Sequence, residues 1–194
     1  AKMFTTELGF QIVDTALQLR GGRGYETQAS LEARGEFPFS IERPLRDARI
    51  NRIVEGTTDV MHLFLAREAL DGHLSRAGGL FAKGATTGDK VKTVIKCAGF
   101  YPFWYISTWL PSFRMYSNFH PKLAKKLRWV NKRTKKLARA LFHKMALVGP
   151  KLEQNQLTLN RIVDIGTDLA VMGLVASRVQ TEINNGNKGR FSIF

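Results

Sequence analysis

Cysteine is almost missing from this chain. Cys97 is the one thiol in 194 residues, which excludes an internal disulfide and suits a reducing compartment. No run of 18 or more apolar residues occurs, so no segment can span a bilayer as a helix. Histidine is scarce, with four residues, and His62 has no partner histidine at ligand spacing, so no metal site is expected. No period of 20–50 residues recurs, which excludes a solenoid. Acidic residues are also short, at 16 against 30 Lys and Arg. That shortage is local. Residues 1–72 hold 9 Lys/Arg and 11 Asp/Glu, whereas 73–194 hold 21 and 5. Two modules of different character follow from that break. The basic one should be drawn to anionic surfaces, whether lipid headgroups, nucleic acid or an acidic protein. With 44% hydrophobic residues, the chain can bury one core or two small ones.

The stretch Arg52-Ile-Val-Glu-Gly-Thr-Thr-Asp-Val60 organises what is present. Glu55 follows two apolar residues, and Gly56 removes the next side chain. Thr57, Thr58 and Asp59 offer oxygens for capping a helix that starts near Val60. Glu55 therefore belongs to a short turn at a helix N-terminus. A carboxylate there is a candidate general base. Taken alone, the segment reads better as a first-turn Glu that only complements the helix dipole.

The remaining pattern is helical throughout. Residues 1–20 form an amphipathic helix with Leu8, Ile12, Ala16 and Leu19 on one stripe, stopped by Gly21 and Gly22. Residues 25–40 read as a loop. A helix from Ile41 to Ile53 carries Pro44 in its first turn, with Leu45 and Ala48 inward. The next helix, 57–71, points Val60, Leu63, Phe64 and Ala66 or Leu70 inward and leaves His62 on the surface. Residues 73–88, rich in Gly, Ala and Thr, read as a linker. After a helix from Asp89 to about Cys97 comes Phe100 to Phe113, whose two prolines should limit helix. Its aromatics beside a basic run suit either a membrane-interface anchor or a docking surface. From Pro121 to Val148, Leu123, Leu127, Val130, Thr134, Leu137, Leu141 and Met145 give the spacing of a bundle seam. Gly149-Pro150 breaks it. A second helix, Lys151 to Ile183, sets Ile162, Ile165, Leu169, Met172, Ala176, Val179 and Ile183 on its seam, antiparallel to the first.

Four pieces of residues 1–72 resemble the C-terminal catalytic segment of the acyl-CoA dehydrogenases. They are Gln18-Leu-Arg-Gly-Gly-Arg-Gly24, Arg46-Asp-Ala-Arg-Ile50, Glu55-Gly-Thr57 and Ala66-Arg-Glu68, in that order. The resemblance implies an all-α fold: the C-terminal helical bundle of such an enzyme over 1–72, a linker over 73–88, and a basic antiparallel helical extension over 89–194. In position and character the extension resembles that of very-long-chain acyl-CoA dehydrogenases, which associate with the inner membrane. The family's N-terminal and middle domains are missing, so the chain looks like part of a longer enzyme, inactive by itself.

The resemblance also implies chemistry. The family desaturates the Cα–Cβ bond of an acyl-CoA with FAD, in fatty-acid β-oxidation. Glu55 becomes the base that takes the α-proton. Gly56 gives the thioester room. Thr57 and Asp59 touch the flavin, though many members carry Gln or Glu at the place of Asp59. Gln18 and Gly22 contact the adenylate and pyrophosphate end of FAD on a neighbouring subunit, and Arg67 lies near the CoA. The implied partners are acyl-CoA, electron-transfer flavoprotein as acceptor, a second copy in a homodimer or dimer of dimers, and an anionic membrane surface. The implied place is the bacterial cytoplasm or mitochondrial matrix. An acyl-CoA oxidase, or a nucleic-acid-binding homologue of the alkylation-response type, shares the same motifs. The aromatic run argues against nucleic acid as the partner.

Overall fold

Capping residues and glycines divide the chain into helices. The computed structural model describes residues 1–80, 84, 86–111 and 116–186, and every regular element among them is helical. Phe113 falls outside the described residues. The chain forms two compact units, Ala1–Phe64 and Leu65–Phe194.

The first unit opens with α1, Lys2–Arg20, which ends at Gly21 in the left-handed region that glycine favours. A tight turn of 3-10 helix, Gly21–Tyr25, folds back on it. Gly24 is required there: a Cβ would lie 2.8 Å from the Leu17 carbonyl oxygen. The expected loop over 25–40 contains a helix, α2, Gln28–Ala33. Its signal was a cap. The Thr27 side chain accepts from the Ser30 amide, and Leu31 is fully buried. Helix α3, Glu42–Asn51, packs against α1. Leu45 and Ala48 are half-buried there, and Ile53, beyond the helix, is exposed. The α1 stripe does not form a core in this chain: Leu8, Ile12 and Leu19 are exposed, Leu19 at 85%.

Helix α4 runs from Thr58 to Ala77, so the first five residues of the expected linker are helical. Its buried line is His62, Ala66 and Leu70, while Val60, Leu63 and Phe64 are exposed. The inward face is thus rotated from the one expected. His62 is tied down rather than solvated, with Nδ1 at 2.8 Å from the Thr58 carbonyl oxygen.

In the second unit, α5 spans Thr87–Ser107 and continues through Pro102. It starts in a reciprocal cap, in which Thr86 accepts from the Asp89 amide and Asp89 accepts from the Thr86 amide. The aromatic run is therefore helical as far as Ser107. Helix α6, Pro121–Val148, and helix α7, Gln156–Asn184, pack side by side. They are antiparallel, since the His120 amide at the start of α6 donates to Gln180 Oε1 near the end of α7 at 2.7 Å. Leu123, Leu127 and Leu141 of the α6 seam are buried as expected, while Thr134 is exposed. On α7 the seam differs. Leu159, Val163, Leu169, Ala176 and Gln180 are buried, whereas Ile165 and Met172 are about half exposed. Gly166 faces α6, with Leu137 Cδ2 at 3.7 Å from where its Cβ would stand. A small residue lets two helices approach, so the packed line passes through Gly166 and not through its branched neighbour. Helix α7 begins later than expected because Gly149–Gln154 forms a 3-10 turn before Asn155 caps it.

Candidate active site

Glu55 sits between the end of α3 and the start of α4 with φ +55°, the one non-glycine with positive φ among the described residues. A left-handed backbone costs an L-residue roughly 1–2 kcal/mol, so its surroundings must hold it. Gly56 follows at φ +99°, and a Cβ there would lie 3.2 Å from Met61 Sδ. The Thr58 amide donates to the Arg52 carbonyl at 3.2 Å and closes the turn. Thr57 Oγ1 accepts from the Val60 amide at 3.3 Å and caps α4, as its position suggested.

Helix α1 clamps this turn from the side. Lys2 Nζ donates to the carbonyls of Val54 at 2.6 Å and Gly56 at 2.5 Å, the two residues flanking Glu55. Glu7 Oε1 accepts from Arg52 Nε and from Thr58 Oγ1, each at 2.8 Å. The Arg52 guanidinium lies over the Phe10 ring, 4.8 Å from its centroid. The turn is thus held at the carbonyls beside Glu55 and at both of its ends. Lys2, Glu7 and Phe10 were not picked out from the sequence. Nothing local marks them, because they are some 50 residues from the turn they hold.

Glu55 and Asp59 are exposed, and Gly56 and Thr57 are half-buried. Glu55, Gly56 and Thr57 lie in the connection between α3 and α4, and Asp59 follows in the first turn of α4. Gln18 and Gly22 are elsewhere in the unit. Lys2 meets the turn, and Gln18 lies sixteen residues further along α1, about 24 Å at the helical rise. Both are exposed, and a Cβ on Gly22 would meet open space. The exposed amide and bare glycine backbone fit a ligand that arrives from outside the unit. Arg67 is exposed on α4 in the second unit.

That second unit holds a separate aromatic cluster. His73 stacks on Tyr101 with centroids 5.7 Å apart and meets Trp104 edge-on at 5.0 Å. Phe142 lies 5.8 Å from it. His73 Nδ1 and the Tyr101 hydroxyl are 3.2 Å apart. Burial, and then the nearby Arg76 guanidinium, lower the His73 pKa below the ordinary 6.5. Burial and Cys97 raise that of Tyr101, with Arg76 pulling the other way.

Residues 1–70 match the family model described as the acyl-CoA dehydrogenase C-terminal domain. The chain is 40% identical over 190 residues to the probable acyl-CoA dehydrogenase FadE10 of Mycobacterium tuberculosis, covering 94% of this chain and 28% of that protein. It is 25% identical over 195 residues to the mitochondrial very long-chain specific acyl-CoA dehydrogenase of Homo sapiens, covering 96% and 27%. It is also 40% identical over 68 residues to the mitochondrial isobutyryl-CoA dehydrogenase of Dictyostelium discoideum, covering 35% and 14%. The first two likenesses run on through the basic extension; the third matches a length close to the family domain. The chain spans a little over a quarter of the two longer relatives.

Proposed function

We propose that this chain is the C-terminal part of an FAD-dependent acyl-CoA dehydrogenase in which Glu55 removes the α-proton of the acyl thioester. The clamped left-handed turn at Glu55 is the observation that carries the reading. A strained non-glycine residue persists only where its surroundings over-determine it, and such residues cluster at functional sites. The Glu55 carboxylate accepts the α-proton, and Gly56 leaves space beside it for the thioester. Thr57, beside Glu55, and Asp59, in the first turn of α4, contact the flavin; Gln18 and Gly22 reach the cofactor of a neighbouring copy. Arg67 meets the CoA portion. When bound, the flavin supplies the hydride acceptor. The domain division that goes with this reading is a catalytic segment over 1–72 and a basic extension that follows it. Electron-transfer flavoprotein takes up the electrons, and the enzyme works as a homodimer or dimer of dimers in the bacterial cytoplasm or mitochondrial matrix.

The extension brings the enzyme to anionic lipid. Among the described residues no helix is long and apolar enough to cross a membrane. Helix α6 exposes Lys122, Lys125, Lys126, Lys132, Arg133 and Lys136, while Phe103 and Ile106 of α5 and Trp109 just beyond it are also exposed. Cations beside exposed aromatics suit a surface that lies on a headgroup layer.

The test of the catalytic reading uses the full-length enzyme. Glu55→Gln should keep bound FAD and slow bleaching of the flavin by acyl-CoA by about 10²–10⁴. Bleaching at the parent rate would assign the proton to another base.

A further inference from the structure

Where the C-terminal end of α5 meets the middle of α6, a cavity of about 360 Å³ opens to solvent. Trp109, Leu110 and Pro111 line one side, and Arg128, Lys132, Lys135 and Arg139 line the other. Among the described residues no carboxylate lines it. The four cations do two different jobs. Lys135 Nζ donates to the Leu110 carbonyl at 2.7 Å, and Arg139 donates to the Thr108 carbonyl at 2.6 Å. Arg139 thus satisfies the carbonyl of the residue that caps α5 and offsets the partial negative charge of that helix end, and Lys135 holds the turn just beyond it. Arg139 also lies over the Trp109 ring, 4.0 Å from its centroid, which holds the indole at the cavity edge. The side chains of Arg128 and Lys132 have no hydrogen bond or ion pair among the described residues. They stand four apart on α6, hence on one face, both at the cavity wall.

We propose that this cavity binds a phosphate monoester that carries an apolar group, with Arg128 and Lys132 on the phosphate and Trp109, Leu110 and Pro111 against the apolar part. The guanidinium fork matches phosphate oxygens in pairs, and the ammonium adds a second charge. A dianion answers two unpaired cations better than a single charge does. The apolar wall selects against a bare ion. Such a ligand has two sources: the headgroup of a phosphomonoester lipid in a membrane, or a soluble organic phosphate. The site goes beyond the membrane reading, which needs only diffuse positive charge.

Calorimetric titration of the full chain tests it, with octyl phosphate below its micelle threshold. Octyl phosphate should bind at one site, about tenfold or more tighter than octyl sulfate or inorganic phosphate. Arg128→Ala with Lys132→Ala should weaken it by on the order of tenfold or more, as expected for two charges that meet the ligand directly. Lys125→Ala with Lys126→Ala removes the same charge from positions outside the cavity lining and should leave it unchanged. Equal weakening in both double variants, or no preference for octyl phosphate, overturns the site. Vesicles containing phosphatidate or phosphatidylserine at equal surface charge separate the sources. A phosphatidate preference that the Arg128/Lys132 variant loses assigns the lipid; octyl phosphate binding without that preference assigns the soluble ester. Binding to all anionic vesicles without octyl phosphate binding overturns the cavity and leaves the membrane reading standing. Octyl phosphate binding without vesicle binding does the reverse.

Discussion

Glu7 Oε1 lies 2.8 Å from Arg52 Nε, and the same oxygen takes the Thr58 hydroxyl at 2.8 Å. One carboxylate of α1 thereby joins both ends of the turn that carries Glu55. Both partners of the ion pair are mostly shielded, with side chains 23% and 28% exposed. Glu7→Ala should therefore cost about 1–2 kcal/mol, because it strands a partly buried guanidinium and a hydroxyl. Urea unfolding measures that loss. In the full-length enzyme the same change should slow flavin bleaching by acyl-CoA while FAD stays bound. A loss of stability with unaltered bleaching would mean that the clamp does not position the base.

The left-handed backbone at Glu55 gives a second expectation, of opposite sign. Glu55→Gly relieves the conformational cost at φ +55° but adds freedom to the unfolded chain. The balance should leave stability equal or higher by up to roughly 1 kcal/mol, while proton abstraction is lost. A residue that costs stability and supports turnover is one kept for function. A clear drop in the unfolding midpoint of Glu55→Gly would instead give the side chain a structural role.

What could be read without coordinates follows the range of each interaction. The seam of α6 was legible because Leu123, Leu127 and Leu141 repeat at helical spacing and their partners are apolar. The seam of α7 was legible only in outline. Hydrophobicity favoured Ile165 and Met172, but close packing favoured Gly166. The cap at Thr27 was written in the sequence, yet the glycine and proline around it outweighed it. The burial of His62 was missed because its bond to the Thr58 carbonyl makes a polar side chain acceptable inside. At the candidate site, the turn itself was visible through its motif. Lys2 and Glu7 were not, since only folding brings α1 to residues 54–58.

The His73–Tyr101 cluster carries a pH dependence. The folded pKa of His73 is lowered, so between that value and about 6.5 the unfolded chain binds more protons than the folded one. Stability should therefore rise with pH through this window, level off above it, and fall as the medium is acidified. The solvent-open part of the cluster keeps the effect small. His73→Phe retains an aromatic beside Trp104 and Phe142 and removes the titrating group. Its denaturation midpoint should vary less between pH 5 and pH 7.5 than that of the parent. An identical dependence in the two proteins would assign the titration to other residues.

Pro102 lies inside α5, with Tyr101 and Trp104 of the aromatic cluster beside it. It lacks the N–H that would bond the Ala98 carbonyl, and its ring crowds the preceding turn. Proline in a helix interior is about 3 kcal/mol less favourable than alanine. Helix α5 nevertheless passes through it, so packing on both sides outweighs the local cost. Tyr101, Trp104 and Phe142 supply that packing, with centroids 4.9 Å apart for Tyr101–Phe142 and 5.3 Å for Trp104–Phe142. Pro102→Ala should restore the hydrogen bond and raise stability by roughly 1–3 kcal/mol, read from the shift of the unfolding midpoint. The alternative is that Pro102 bends α5 so that these rings meet Phe142. In that case Pro102→Ala would straighten the helix, loosen the rings and lower the midpoint. Near-ultraviolet circular dichroism, which senses ring packing, separates the two: an unchanged aromatic signal with a raised midpoint is the expected result.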